Sequence, residues 1–299
     1  MAGGAEAMAS PCAVTDRSTN WHWQPRALFL SWRRENQKPL VRMTPTSLEV
    51  LFAPAEFALL HQRDLGQTVC VVFDVLRATS TMVTALANGA AAILPVPGIP
   101  EALDLRQRQP DILLAGERDG LRIEAHLTGG VSFDLGNSPR EFTAARVKGR
   151  TIAMTTTNGT CALQACAGAS AVLLGSFLNL RATAQSIEAR EAAHLLLVCS
   201  GTLDQAATED ILGAGALCDL LWPKYSRGLV ADSAHLARRL FHLEQDNLLD
   251  AVAQSRNGRR LLAQADLRED VPFCLQRDLF SLVAEFGKDG LVRIRGSRA

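Results

Sequence analysis

Val69-Cys70-Val71-Val72-Phe73-Asp74-Val75-Leu76-Arg77-Ala78-Thr79-Ser80-Thr81 decides the fold. An apolar, β-branched run ends at an acid. An arginine and three hydroxyl residues follow, then Met82 to Ala87 in helical register and an Asn88-Gly89 stop. A short strand pattern running into a helix is the front of a βα unit. In open α/β sheets, ligands bind beyond the carboxyl ends of strands, which is where Asp74 falls. The hydroxyls of Thr79, Ser80 and Thr81 and the N–H groups of the helix start face the same place, and a helix start favours anions. One segment thus offers a carboxylate for a cation and donors for an anion, the equipment of Mg²⁺-assisted phosphate chemistry. A plainer reading has the hydroxyls capping the helix and Asp74 paired with Arg77.

The pattern recurs. Thr151 to Thr155 reads as a strand, Thr156-Thr157-Asn158-Gly159-Thr160 as a polar turn, and Cys161 to Ala167 as a helix. Ala171 to Gly175 is a further strand. Between them, Asn137-Ser138-Pro139 opens a helix expected to run to Val147. Leu48–Phe52, Ala91–Val96, Asp111–Glu117 and His194–Cys199 read as strands. Pro100–Gln107, Leu180–Arg190, a long segment opened by Thr208-Glu209-Asp210, and Asp232–Ala253 read as helices. The last is interrupted near Asn247 and carries an apolar stripe at Leu236, Leu240 and Leu243. Ser255 to Arg260 reads as a turn, and Leu291–Arg295 as a closing edge strand. Strands alternating with helices predict an α/β fold of three α/β/α layers with a largely parallel, mixed sheet. The repeated strand and Thr-rich turn hint at two similar halves. The Arg118–Asp134 loop, with Gly129-Gly130, is a candidate flap whose His126 is the one histidine placed to carry a proton.

Hydrophobic residues make up 47% of the 299 residues, enough for a sizeable core. Lys+Arg and Asp+Glu both number 31, and aromatics are 5%. That balance argues against nucleic acid or an anionic membrane as the main partner. The seven cysteines form no C-x-x-C pair and read as reduced thiols of a cytoplasmic protein. No run reaches the roughly 18 apolar residues of a membrane span. Residues 1–42 lack periodicity and are expected to be a disordered extension, or the product of a start codon upstream of the one used. Residues 43–299 are expected to form the folded domain.

The order Asp74-Val75-Leu76-Arg77-Ala78-Thr79-Ser80-Thr81, Ala115-Gly116-Glu117-Arg118, Asp134 to Pro139, Thr155 to Thr160 and Glu209-Asp210 resembles the ComB family. The resemblance runs from about Leu48 to the C-terminus. It implies a Mg²⁺-dependent acid phosphatase of coenzyme M biosynthesis acting on a small phosphorylated acid, 2-phosphosulfolactate. A phosphatase of another such acid, or a non-catalytic binder of phosphorylated ligands, are the alternatives. Glu124–Val131 and Thr202–Thr208 depart from the family pattern, so substrate identity is most open there.

Phosphate monoester hydrolysis needs phosphoryl charge offset, a positioned nucleophile and help for the leaving oxygen. Asp74, Glu117, Glu209 and Asp210, each at a strand end or helix start, are the candidate Mg²⁺ ligands. Adjacent helical residues diverge by about 100°, so Glu209 and Asp210 are not expected to face one spot. Arg77 and Arg118 suit phosphate or sulfonate by bidentate contact and join Asp74 as catalytic candidates. Thr79, Ser80, Thr81, Asn137, Ser138, Thr156, Thr157, Asn158, Gly159 and Thr160 are the candidate phosphate donors. Either a water activated on the metal or Asp74 itself is the nucleophile. Aspartyl-phosphate chemistry is disfavoured because Leu76 and Ala78 stand where its second acid and Thr would be. Cys-x₅-Arg and a P-loop are absent. A homodimer is compatible with these residues.

Overall fold

The structure, a computed structural model, describes residues 46–296. The extension expected over residues 1–42 lies outside the described residues. Among the described residues, eleven strands form one mixed sheet, with helices on both faces. In chain order they are β1 (Ser47–Leu51), β2 (Thr68–Phe73), β3 (Ala92–Pro95), β4 (Leu113–Arg118), β5 (Leu121–Arg122), β6 (Thr151–Thr155), β7 (Ala171–Gly175), β8 (His194–Cys199), β9 (Leu229–Val230), β10 (Ala284–Phe286) and β11 (Val292–Ile294). The spatial order is β5-β4-β6-β3-β11-β10-β7-β2-β8-β1-β9.

The sheet contains two parallel blocks. One is β7-β2-β8-β1-β9, the other β3-β6-β4. The antiparallel pair β10–β11 is inserted between them. The two hinted halves are therefore unequal, and three successive reversals make their strands run in opposite senses. In a flat sheet the carboxyl ends of β2 and β6 would lie on opposite edges. They meet instead: a Cβ built on Gly159, just after β6, would lie 2.7 Å from Asp74 Oδ2, just after β2. Strand twist works in this direction. At roughly 20–25° per neighbour, the five steps from β2 to β6 turn the strand direction by on the order of 100°.

β2 is buried along its whole length, as its unbroken apolar run predicts. Val69, Val71 and Phe73 pack toward Leu212, Leu217 and Leu221 of the helix Thr208–Tyr225. Cys70 and Val72 pack toward Met82, Val83 and Leu86 of the helix Ala78–Ala87. That helix also belongs to the cluster of Ile93, Ile152 and Met154 from the second block, so it is buried from Ala78 to Leu86, its Thr and Ser hydroxyls included. Phe73 fills a slot made by two glycines: a Cβ on Gly175 or Gly213 would come within 2.5 Å or 2.9 Å of its ring.

Four expectations are corrected. Leu291–Arg295 is not an edge strand, because β11 sits mid-sheet beside β10 and β3. Pro139–Val147 is not one helix: a 3-10 turn at Pro139–Glu141 and a helical turn at Ala144–Val147 are separated at Phe142, whose ψ of 56 is not helical. Ser255–Arg260 is not a turn but the start of the helix Arg256–Leu262, with the Ser255 hydroxyl accepting from Gly258 N–H. In Asp232–Glu244 the buried face is Ala234, Ala237 and Phe241, while Leu236 and Leu243 are exposed. The small face lets this helix approach Thr208–Tyr225, where Gly215 lies against Ala237 O. The expected interruption near Asn247 is present: Asn247 stands at the N-cap position of the next helix, Leu248–Ala253.

Candidate functional site

Three buried carboxylates converge beyond the strand ends. Asp210, in the first turn of Thr208–Tyr225, accepts from Val75 N–H at 2.8 Å and Gly201 N–H at 3.1 Å. It thereby ties the chain leaving β2 to the chain leaving β8, and as an acid it suits a helix N-terminus. Asp74 Oδ1 accepts from Ala78 N–H at 3.0 Å, so this acid closes the start of its own helix. Its Oδ2 has no hydrogen-bond partner among the described residues. Glu117 comes from the end of β4: Oε1 accepts from Thr157 N–H and Oγ1, and Oε2 from Gly120 N–H. With Asn137, Thr156 and Asn158 these acids line a narrow cleft of about 80 Å³, room for a few waters or one phosphoryl group.

Burial is the main force on Asp74, raising it to about 6; Glu117 and Glu209 add to the rise, and Ala78 N–H and Arg77 oppose it. Burial, then Asp74 and Glu209, push Asp210 well above the ordinary carboxylate range. Glu209 is buried behind the cleft, one oxygen held by Asn257 Nδ2 at 2.6 Å and the other without a partner. Glu209 and Asp210 diverge as their helical spacing predicts.

The turn between β4 and β5 joins these acids to two arginines. Asp119 and Gly120 have φ of 54 and 80, so Arg118-Asp119-Gly120-Leu121 is a two-residue hairpin turn of the type Asp-Gly favours. Gly120 O accepts from Arg77 Nη2 at 2.6 Å, and its Cα faces the Arg260 guanidinium. Arg77 Nη1 donates to the buried Asp270 at 2.7 Å. The cleft adjoins a groove of about 700 Å³ that shares Arg77, Gly120 and Asn137 with it.

Asp74, Arg77, Glu117, Asn137, Thr156, Thr157, Asn158 and Asp210 are thus brought together as the sequence predicts. Gly159 sits against Asp74 and leaves it room. Other candidates serve the scaffold. Thr79 Oγ1 donates to Asp74 O, Ser80 Oγ to Val75 O, and Thr81 Oγ1 to Asn137 O. Their burial demands such partners, so they are not free phosphate donors. Thr160 Oγ1 donates to Thr156 O, and Ser138 Oγ to Asp270. Neither lines the cleft. Arg118 also lies off the cleft lining, bonded to Glu117 O and Thr155 Oγ1, because successive strand residues point to opposite faces. His126 is exposed on the turn Ala125–Thr128, away from the lining. Sequence reading missed Gly120, Asn257, Arg260 and Asp270. The Asp-Gly pair between Arg118 and Leu121 is a signal that could have found the first.

The family model described as 2-phosphosulpholactate phosphatase matches residues 56–289. The chain belongs to the 2-phosphosulfolactate phosphatase family. A "Probable 2-phosphosulfolactate phosphatase" of Caldanaerobacter subterraneus subsp. tengcongensis is 39% identical over 237 residues, covering 78% of this chain and 93% of that protein. Proteins of the same name from Caldicellulosiruptor saccharolyticus and Pseudothermotoga lettingae are each 37% identical, covering 74% and 82% of this chain and 90% and 98% of their own.

The cleft of this 2-phosphosulfolactate phosphatase family member can be tested for a Mg²⁺ site. Among the described residues, no three His, Cys, Asp or Glu side chains form a closed ligand set. Mg²⁺ keeps several waters and needs only one or two carboxylates, so a sparse set suffices. The donors are all oxygens. Asp74, Glu117, Glu209 and Asp210 have no ion-pair partner among the described residues, and a buried excess of negative charge is costly without a cation. Asn137 Oδ1 and Thr156 Oγ1 are also buried without partners. The residues fit the ion. Among the described residues, no helix is long and apolar enough to cross a membrane.

Proposed function

We propose that this chain hydrolyses the phosphate monoester of 2-phosphosulfolactate to sulfolactate and inorganic phosphate, with Mg²⁺ as cofactor. The observation that carries the reading is the cluster of unpaired buried acids facing a loop of polar donors in a cleft of phosphoryl size. Family membership supports the substrate. Asp74, through its unbonded Oδ2, would hold the ion with waters completing its shell, while Glu117, Asp210 and Glu209 add negative charge around it. When bound, Mg²⁺ offsets phosphoryl charge and helps the leaving oxygen.

The protein groups do the rest. Glu117 fixes Thr157, which orients the loop Thr156–Asn158 toward the cleft. Arg77 uses two of its five N–H donors on Asp270 and Gly120 O, so others remain for phosphoryl oxygens. Asn137 presents an amide from the facing turn. A narrow, mostly buried cleft limits access of bulk water. Water attacks phosphorus, the bond from phosphorus to the ester oxygen breaks, and a proton from that water ends on the sulfolactate hydroxyl. A cytoplasmic location, a place in coenzyme M synthesis and a homodimer belong to the same proposal.

The test is phosphate release from 2-phosphosulfolactate in Mg²⁺ and in chelator, for wild type and Asp74→Asn. Metal-dependent release, lost at least a hundredfold in the variant, is the expected result. Equal rates in Mg²⁺ and chelator would overturn the cofactor; equal rates in both proteins would remove Asp74 from the site.

A further inference from the structure

Resting on that reading, we infer that Arg260 is the specificity residue for the second anionic group of the substrate, the carboxylate or sulfonate remote from the phosphoryl group. Two arginines line the cleft, Arg77 and Arg260. Arg77 is buried and neutralised by Asp270. Arg260 is exposed and, among the described residues, no hydrogen bond or ion pair engages its guanidinium. In the adjoining groove, Arg122 is already paired with Glu124 at 3.0 Å. Arg260 is therefore the cleft cation left free to meet an incoming anion.

Its position is fixed by three contacts. Asn257 lies one helical turn before it, on the same face of Arg256–Leu262. The Asn257 amide donates to Thr202 Oγ1 at 2.7 Å and to Glu209 Oε1 at 2.6 Å, which pins the helix to the start of Thr208–Tyr225. Gly258 permits a close seat, since a Cβ there would lie 1.8 Å from Val252 O. On the other side the guanidinium rests on Gly120, with Cζ, Nη2 and Nε between 3.5 and 3.7 Å from where a Cβ would be. Gly120 also holds Glu117 through its N–H and Arg77 through its carbonyl. The hairpin turn thus sets a fixed relation between the acid floor and the cation at the mouth.

The arrangement separates two kinds of recognition. The floor is carboxylate-rich and buried, and suits a phosphoryl group only with a divalent cation. The mouth carries a planar guanidinium that suits a carboxylate or sulfonate directly. A phosphate monoester without an acidic tail has nothing to offer Arg260.

The experiment compares kcat/KM for 2-phosphosulfolactate, for 2-phospholactate and for phenyl phosphate in wild type and Arg260→Gln, with melting temperature as the folding control. The expected result is a fall of at least tenfold in the ratio of 2-phosphosulfolactate to phenyl phosphate. A smaller fall overturns the assignment, whether both substrates weaken together or neither does. The 2-phospholactate arm separates the sources: an equal fall assigns the carboxylate, an unchanged value the sulfonate. If wild type releases no phosphate from any of these, hydrolysis fails as a reading, and calorimetric binding of sulfolactate decides the inference alone. Binding lost in Arg260→Gln sustains it, and binding absent from wild type or retained in the variant overturns it.

Discussion

Arg77 and Asp270 form an ion pair at 2.7 Å in which both side chains are almost wholly buried. The pair spans 193 residues of sequence and joins the turn after β2 to the C-terminal helical region. Asp270 Oδ1 also accepts from Ser138 Oγ at 2.7 Å, so one carboxylate fixes both the cleft arginine and the Asn137–Ser138 turn. Asp270→Ala leaves a buried guanidinium unpaired and is expected to cost about 3–5 kcal/mol. Ser138→Ala removes one hydrogen bond to a charged acceptor and is expected to cost about 1.5–3 kcal/mol. Urea unfolding measures both. Equal costs, or the reverse order, would mean that the pair does not hold this junction.

Metal-free protein is expected to lose stability as pH rises between about 4 and about 6. Asp74 sits at about 6 in the fold against an ordinary value of 3.8, chiefly through burial. Across that interval the folded chain keeps a proton that the unfolded chain has released, so the unfolding free energy falls as pH rises. At 1.36 kcal/mol per unit the loss is on the order of 3 kcal/mol. Asp210 is displaced in the same direction and adds to the loss. Asp219 and Asp289 are held below their ordinary values, so their opposite contribution falls at lower pH. A cation binding the ionised acids should flatten the slope. Melting curves from pH 4.5 to 7.5, in chelator and in Mg²⁺, read it directly. A melting temperature in chelator that climbs through this interval would sink the argument.

Gly213→Ala is expected to destabilise although it replaces glycine inside a helix. Propensity favours alanine there by about 1 kcal/mol. The added Cβ would stand 2.9 Å from Phe73 Cδ1 and 3.2 Å from Val75 Cγ2. Phe73 is also in close contact with Gly175, so its ring has little room to give way. Overpacking of this kind costs about 1–3 kcal/mol, which outweighs the propensity gain. Chemical denaturation would show a net loss; a net gain would mean the Phe73 slot has slack.

Much of this was legible because it is local. The β2 run, Asp74 at its end and the polar turn before Gly159 are all short-range patterns, and each falls where it was expected. What was not legible depends on burial and on partners that the fold supplies. Thr79, Ser80 and Thr81 look like free donors, but burial forces each hydroxyl onto a nearby carbonyl. Leu291–Arg295 reads as a closing edge strand. Its mid-sheet place is set by pairing with Ile93 and Ala284, which no local pattern encodes. Asn257 and Arg260 look like turn residues until the fold carries them to Glu209 and Gly120.

Gly159→Ala is expected to damage the site more than the fold. The new Cβ would lie 2.7 Å from Asp74 Oδ2 and 2.8 Å from Ala78 Cβ. Ala78 is fixed in the buried helix Ala78–Ala87, so the Asp74 carboxylate is the group that can yield. Its Oδ1 is held by Ala78 N–H, so rotation away from residue 159 breaks that bond as well. The displaced oxygen is the one left free to meet a cation. Gly159 is the first residue of Gly159–Ala165, where the helix-interior penalty of glycine does not apply, so alanine gains little propensity there. The close approach to Ala78 Cβ should lower the melting temperature by several degrees. Phosphate release from 2-phosphosulfolactate should fall about a hundredfold, a loss larger than stability alone explains. The Mg²⁺ concentration for half-maximal release should rise in the variant. Unaltered metal dependence with a large drop in melting temperature would assign Gly159 to packing and free Asp74 from its influence.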